Sequence, residues 1–390
     1  VRILHTADWH LGKTLEGRSR LPEQEAFLDE LKQIVNEEKI DAVIMAGDAF
    51  DTVNPPSSAE KLFYESLSSL ADKGRRPVVV IAGNHDHPDR LQAASPLTDG
   101  QPIYLAGFPT TGVIDIPIKQ SGEVLAVSPL AYPSEARLNE VLADDFDEAL
   151  LRDHYNEKIK QAYHEISKSF KKEAVNIAVS HLYVAGGSQS DSERPIEVGG
   201  AYTVAAESLP AAADYVALGH LHRPQTIKRA STLARYSGSP LAYSFSEAGY
   251  AKSVTIIDAK AGEKAAFKEI FLSSGKPLVK WQAREGLNQV YSWIEEGKDK
   301  NAWIDLEVYA SDQLSIEEIH RLRKLNPGFI HIRPIYEERA TSRDSIHTKQ
   351  LPIDEMFVKF YERQTGGALP DDEMIKLFLE LSSGQEGNLE

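Results

Sequence analysis

Short apolar runs alternate with longer amphipathic segments at the start of the chain. Val1-Arg2-Ile3-Leu4-His5-Thr6-Ala7, Asp41-Ala42-Val43-Ile44-Met45-Ala46 and Val78-Val79-Val80-Ile81-Ala82 have the length and apolar content of buried strands. Between them, Pro22 to Glu38 places Phe27, Leu31, Ile34 and Val35 near helical spacing. Pro55-Pro56 opens a second helix that carries Leu62, Phe63, Leu67 and Leu70 and runs to Gly74. This rhythm predicts a parallel sheet with right-handed crossovers, whose ligands collect beyond the carboxyl ends of the strands. From Ile103 to Leu130 the runs are short and broken by Gly and Pro, as in hairpins. The charged stretch Asp144 to Glu173 is expected to be mostly helical. Val175 to Ser180 and Asp214 to Leu218 are further buried strands. Arg235 to Leu272 reads as antiparallel strands closing the second half of a sandwich.

Composition shifts at Ser273-Ser274-Gly275-Lys276-Pro277, a linker pattern. Strands are then expected over Leu278–Ala283, Ala302–Val308 and Gly328–Ile335, with a helix over Leu287–Ile294. Ser315 with Glu318 forms a capping-box pattern that starts another helix. Beyond Asp354, two short helices carry Met356, Phe357, Phe360 and Tyr361, then Met374, Ile375, Leu377, Phe378 and Leu381, separated by Gly366-Gly367. They read equally as a docking segment for a partner or as packing on their own domain. The expected division is 1–272, a small α/β domain at 277–340, and a helical segment at 350–385.

Composition narrows the function classes. The 390 residues exceed one typical core, and 42% hydrophobic with 26% charged residues is ordinary globular usage. The absence of cysteine excludes disulfides, thiolate metal sites and thiol nucleophiles, so any metal must be held by oxygen and nitrogen. No signal-peptide pattern and no membrane-length apolar stretch is present, which predicts a cytoplasmic protein. A net charge of −16 argues against binding nucleic acid over the whole surface, but leaves a local groove or bound cations free to accept phosphates.

The strand-like runs end in a recurring chemistry: Asp8-x-His10, Gly47-Asp48-x-x-Asp51, Gly83-Asn84-His85-Asp86, His181 and Gly219-His220-x-His222. Carboxylate, amide and imidazole donors at one sheet edge suit a pair of cations bridged by a carboxylate. Such a pair polarises a phosphoryl oxygen and offsets the charge gained in an in-line displacement. The mixed oxygen and nitrogen set suits Mn better than Mg or Ca.

This ordered set resembles the calcineurin-like metallophosphoesterase superfamily. The resemblance implies an α/β fold: a two-sheet β-sandwich core flanked by helices, here with a small α/β capping domain and C-terminal helices. It further implies Asp8, His10, Asp48 and His222 around one metal, and Asp48, Asn84, His181 and His220 around the other. His85 would be the catalytic histidine, Asp51 its support, and Asp86 a brace for the turn. The flanks, including Ile3 to Gly12, Asp51-Thr52 with Pro55-Pro56, and Ser190-Asp191-Ser192-Glu193-Arg194, resemble the superfamily's bacterial DNA nucleases. That branch implies a Mn-dependent exonuclease of duplex ends and endonuclease of single strands and hairpins, acting in DNA repair, recombination and replication. It also implies a homodimer whose C-terminal helices dock on a coiled-coil ATPase, and a nucleoid-associated location. Eukaryotic and archaeal relatives carry histidine where this chain has Asp51, so no role of that histidine transfers.

Lys13, Arg18, Arg20 and Arg194 are candidate phosphate contacts, with solvated or ion-paired roles as the alternative. Trp9 is expected to pack beneath the site rather than touch a nucleotide. His5, inside the first strand, and His87, His154, His164, His320, His331 and His347 are expected to be structural or surface residues. Two other functional readings stand beside the nuclease: a phosphatase or small-nucleotide phosphodiesterase, and a noncatalytic scaffold binding DNA or the ATPase.

Overall fold

The computed structural model describes residues 1–98, 100–134, 136–138, 155–193, 202–310, 314–336, 353–364 and 369–383. The expected helical positions 144–154, Arg194 and the rest of its loop to Gly200, His154, His347 and the Gly366-Gly367 break lie outside these residues.

The first sheet runs in the order Ala266–Phe271, Ser253–Asp258, Arg2–Thr6, Ala42–Ala46, Val78–Ile81, Ile103–Ala106. Its last four strands are parallel, and for Arg2–Thr6, Ala42–Ala46 and Val78–Ile81 this is what the strand–helix rhythm predicts. The first crossover helix, Leu21–Glu37, buries Phe27, Leu28, Leu31, Ile34 and Val35, and the second, Ser57–Leu70, buries Ala59, Phe63, Leu67 and Leu70. Proline in the first turn of Leu21–Glu37 removes an amide that no intrahelical carbonyl could have satisfied.

The second sheet runs Gln225–Thr226, Ala234–Tyr236, Tyr215–Gly219, Ala174–His181, Glu123–Leu130, Ile114–Ile118. Between the sheets lies one core that takes Ile3, Ile44 and Val79 from one side and Leu125, Ile177 and Ala217 from the other. Helix Tyr155–Ser169 covers the outer face of the second sheet through Ile159, Tyr163 and Ile166.

Two sequence expectations are corrected here. Only Ile114–Ile118 and Glu123–Leu130 form a hairpin within Ile103 to Leu130; Ile103–Ala106 instead extends the parallel sheet. Its alternate residues Ile103 and Leu105 are buried against the core, so the chain crosses over once more before it reverses. Likewise, Arg235 to Leu272 does not stay with the second sheet. Ala234–Tyr236 lies parallel to Tyr215–Gly219, but Ser253–Asp258 returns to pair antiparallel with Arg2–Thr6. Its residues Val254, Ile256 and Ile257 are buried in the main core, and it leaves Ala266–Phe271 as the edge.

A third sheet, Leu278–Ala283, Trp303–Ala310, Phe329–Tyr336, carries helices Leu287–Glu295 and Ile316–Leu325 over a core of Trp281, Val290, Ile304, Leu306, Leu322 and Phe329. The expected capping box is present: Ser315 Oγ accepts from Glu318 N at 3.2 Å and Glu318 Oε2 accepts from Ser315 N at 2.8 Å. Residues Val1–Ile335 form one compact unit, within which Leu278, Trp303 and Ile330 of this sheet pack with Leu15 and Phe245. Tyr336–Glu390 form a second unit. In it, helices Ile353–Gln364 and Asp372–Ser383 stack Phe357 on Phe378 with ring centroids 4.2 Å apart.

His5 is fully buried in the first strand, and its Nδ1 is 2.8 Å from the Tyr215 hydroxyl. Burial, with Arg235 nearby, pushes its pKa down to about 3. The unfolded chain therefore binds a proton that the folded chain refuses, so stability falls as pH drops through the unfolded value of 6.5 and stops falling near 3. Between about pH 7.5 and 5.5 wild type is expected to lose about 1.4 kcal/mol more than His5→Gln, measured by urea unfolding. Equal losses in the two proteins would sink this account.

Candidate metal centre

The loops leaving the carboxyl ends of Arg2–Thr6, Ala42–Ala46, Val78–Ile81, Ala174–His181 and Tyr215–Gly219 converge at one edge of the sandwich. Each buried strand delivers its polar residues there because its own side chains are committed to the core. Asp8, His10, Asp48 and His220 have left-handed backbone, with φ of 55°, 45°, 52° and 104°. For residues with a Cβ this costs about 1–3 kcal/mol each and persists only where neighbours over-determine it. They do: Asp8 N donates to Gly47 O and His10 N to Asp48 O, both at 3.0 Å, while the Asp8 carboxylate accepts from His220 N at 2.9 and 3.2 Å. Two glycines make the approach possible. A Cβ on Gly83 would sit 2.1 Å from Asp48 Oδ1, and one on Gly219 1.8 Å from Ala46 O.

The side chains gather into overlapping groups. Asp8, His10 and His222 can present one atom each within 4.8 Å of one another, as can Asp8, Asp48 and His181, and His10, Asp51 and His85. His10 Nε2 is 3.1 Å from His222 Nε2 and 3.6 Å from Asp48 Oδ2. His181 Nε2 lies 2.8 Å from Asn84 Oδ1 and 3.4 Å from Asp48 Oδ2, while its Nδ1–H donates to Ala46 O at 2.9 Å. His220 is buried beside His181, ring centroids 5.4 Å apart. The structure thus brings together Asp8, His10, Asp48, Asn84, His85, His181, His220 and His222, with Asp51 at the rim.

The donor chemistry fits divalent cations. Among the described residues, the ion-pair partners of Asp8 and Asp48 are imidazoles. His220 Nε2 is buried without a hydrogen-bond partner, a costly state that a cation or a water would relieve, while His10 Nδ1 faces the Asp51 carboxylate at 3.4 Å. Burial pushes His10 down to about 3 and also lowers His220 and His222, keeping their rings neutral with a lone pair to offer. Burial and the adjacent Asp48 charge raise Asp8 well above the usual carboxylate range. Burial opposes charge on His181 too, but Asp48, Asp8 and the Ala46 carbonyl together outweigh it and hold the ring up at about 9.

His85 Nδ1–H donates to the main-chain oxygen of Asp51 at 2.7 Å, and its backbone N–H to Asp48 Oδ1 at 2.9 Å. Residue 51 therefore holds His85 through its carbonyl. Its carboxylate accepts from Lys13 Nζ at 2.7 Å and is 4.0 Å from His85 Nδ1. Asp86 braces the turn by accepting from Gly83 N, Phe50 N and Ala49 N at 2.8, 2.9 and 3.1 Å. Trp9 is fully buried, edge-on to Phe27 and Phe63, which is the packing role expected.

The basic residues divide. Lys13 is half-buried at the rim on Asp51. Arg18 donates to Pro327 O and Phe329 O at 2.5 and 3.1 Å, which commits it to the third sheet. Arg20, expected as a phosphate contact, is corrected: it is fully buried, with Nε and a terminal nitrogen on Glu23 at 2.6 and 2.8 Å and the other terminal nitrogen on Ala242 O. No phosphate can reach it.

Sequence reasoning missed a supporting layer. Gln24 holds His10 O at 2.8 Å, Glu193 accepts from His222 N at 2.8 Å, and Glu247 lies behind His222. Ser244-x-x-Glu247 was readable as a capping box, and both its bonds form, but nothing in the sequence tied it to the site.

This fold and site define the class: the chain belongs to the calcineurin-like phosphoesterase family, whose model matches residues 1–224. The family is one of divalent-metal enzymes, which the donor set above fits. Residues 274–365 match a second model, described as the type 5 capsule protein repressor C-terminal domain. Over 386 residues the chain is 71% identical to the SbcD subunit of nuclease SbcCD from Bacillus subtilis (strain 168), covering 99% of each chain. It is 29% identical over 390 residues to the SbcD subunit of nuclease SbcCD from Staphylococcus epidermidis (strain ATCC 12228 / FDA PCI 1200), covering 99% of this chain and 100% of the relative. Among the described residues no helix is long and apolar enough to cross a membrane.

Proposed function

We propose that the chain is the nuclease subunit of an SbcC–SbcD-type complex, hydrolysing DNA phosphodiesters at duplex ends, in single strands and in hairpins. The observation that carries this reading is the convergence of Asp8, His10, Asp48, Asn84, His181, His220 and His222 at one buried sheet edge, in a chain alike along its whole length to nuclease subunits. Asp8, His10, Asp48 and His222 would hold one ion and Asp48, Asn84, His181 and His220 the other, with Mn preferred for the mixed donor set. Bound ions supply Lewis acidity toward a phosphoryl oxygen and compensate charge during displacement. The protein's own residues do the rest. The Asp51 carbonyl commits His85 Nδ1, which leaves Nε2 to exchange a proton at the departing oxygen. Lys13, held on Asp51 at the rim, is placed to meet a backbone phosphate, and Arg18 and Arg194 are weaker candidates.

In this reading 1–272 is the nuclease domain, 277–340 the capping domain that recognises DNA, and 350–385 the segment that docks on the SbcC-type ATPase. The last role is supported by exposed Met356, Phe360 and Leu377 on its helices. A homodimer in a cytoplasmic, nucleoid-associated complex completes the proposal.

The test is cleavage of a labelled hairpin DNA with Mn against a small aryl phosphodiester, each with wild type and Asp48→Ala. DNA cutting that vanishes in the variant is the expected result. If only the small ester is cut, even with an SbcC-type ATPase added, the phosphodiesterase reading replaces this one.

A further inference from the structure

Three buried histidines of the site have a partner at Nδ1. His181 donates to Ala46 O and His85 to Asp51 O, both main-chain carbonyls that fix the tautomer without further help. His222 is different: its Nδ1 is 2.5 Å from Ser192 Oγ, and a hydroxyl can donate or accept. What lies behind the hydroxyl settles its direction. Ser192 Oγ is also 2.5 Å from Glu247 Oε1, and a carboxylate only accepts. Glu247 is surrounded by donors: Oε1 takes Tyr243 N at 3.0 Å and Ser244 N at 3.1 Å, and Oε2 takes the ammonium of Lys252. The single Ser192 proton therefore goes to Glu247. Ser190 Oγ, 2.8 Å from Ser192 Oγ, has its own proton on Glu193 Oε2 at 2.7 Å.

We infer that Ser192, backed by Glu247, is the positioning residue that fixes His222 as its Nδ1–H tautomer and so presents the Nε2 lone pair to a divalent cation. This rests on His222 being a metal donor, as proposed above. Ser192 Oγ accepts the Nδ1 proton, and a neutral imidazole has no second one. Nε2 then faces the group formed with Asp8 and His10. The same network clamps the backbone of residue 222 on both sides: Glu193 Oε1 accepts its N–H at 2.8 Å and Lys252 Nζ donates to its carbonyl at 3.0 Å. Ser192 and Glu193 lie on the loop after Ala174–His181, and Glu247 and Lys252 come from the segment before Ser253–Asp258, so the relay also ties a surface loop to the metal edge. A hydrogen-bond partner on the far nitrogen is the usual means of orienting a metal-binding histidine.

The experiment uses the full chain labelled with ¹⁵N-histidine, metal-free, with the His222 tautomer read from its ring nitrogen shifts, alongside Mn(II) binding isotherms without DNA. Wild type is expected to show the Nδ1–H form. Ser192→Ala is expected to lose that preference and about 10- to 100-fold in Mn(II) affinity at one site, and Ser192→Thr, which keeps the hydroxyl, to retain both. A wild-type His222 carrying its proton on Nε2 overturns the inference whatever the variants do, including if Ser192→Ala fails to fold. So does a wild type that binds no Mn(II), or a Ser192→Ala protein within about twofold of wild type in affinity with its tautomer unchanged. A wild type that loads Mn(II) with the Nδ1–H form but cuts no DNA would sink the nuclease reading alone.

Discussion

Asp48→Ala is expected to lose both metal and DNA cleavage, whereas His85→Ala keeps the metal and loses only cleavage. Asp48 occupies the middle of the site: Oδ2 is 3.4 Å from His181 and 3.6 Å from His10, and Oδ1 accepts the backbone N–H of His85. Removing it takes away the carboxylate assigned to both ions and loosens the turn that carries His85. Several kcal/mol of transition-state stabilisation go with the ions, a loss on the order of 10³-fold or more in rate. His85, by contrast, is tied to Asp51 O and packs edge-on to His10 at 4.7 Å, outside the proposed donor set. Its removal is expected to cost about 10²- to 10⁴-fold in cleavage, the range for a positioned acid or base. Mn(II) titration of both variants beside a single-turnover DNA assay checks the division. Equal metal loss in the two proteins would refute it.

Glu23→Ala is expected to destabilise the chain by about 3–5 kcal/mol, because it strands a buried guanidinium. Glu23 takes Arg20 with both oxygens, at 2.6 and 2.8 Å, and also the indole N–H of Trp303 at 2.9 Å and the backbone N–H of Lys276 at 2.8 Å. Those last two bonds reach into the third sheet and the segment leading to it. The carboxylate therefore seats that sheet as well as neutralising Arg20, whose charge has no water to turn to. Trp303→Phe, which removes one donor and part of a buried ring but leaves Arg20 paired, should cost less, about 1–3 kcal/mol. Urea unfolding of the three proteins measures the order. A Glu23→Ala protein within about 1 kcal/mol of wild type would show that Arg20 finds another partner.

The two corrected topologies have a common cause. Periodicity reports that Ile103–Ala106 and Ser253–Asp258 are buried, not which neighbour buries them. Ile103 and Leu105 read as a broken hairpin in sequence, yet the open edge of Val78–Ile81 was available, and the backbone amides paired there. Ser253–Asp258 crosses from one sheet to the other for the same reason: the exposed edge of Arg2–Thr6 needed an antiparallel partner. Arg20 shows the limit for side chains. Its neighbours in sequence, Lys13 and Arg18, look equally suited to phosphate, and only Glu23 and Ala242 in three dimensions remove it from that set.

By itself the sequence determined the strands, the principal helices and the residue types at the strand exits. Strand periodicity and a short polar motif act over a few residues, where backbone geometry leaves little choice. It also determined that any metal must sit among oxygen and nitrogen donors, since there is no cysteine. The tertiary structure alone decided which strands are neighbours, that His85 hangs on the carbonyl of Asp51 rather than on its carboxylate, and that Ser192, Glu193, Glu247 and Lys252 stand behind His222. Those side-chain contacts join residues 29 to 55 positions apart. Each partner is locally unremarkable, and burial at a shared point makes the pairing obligatory.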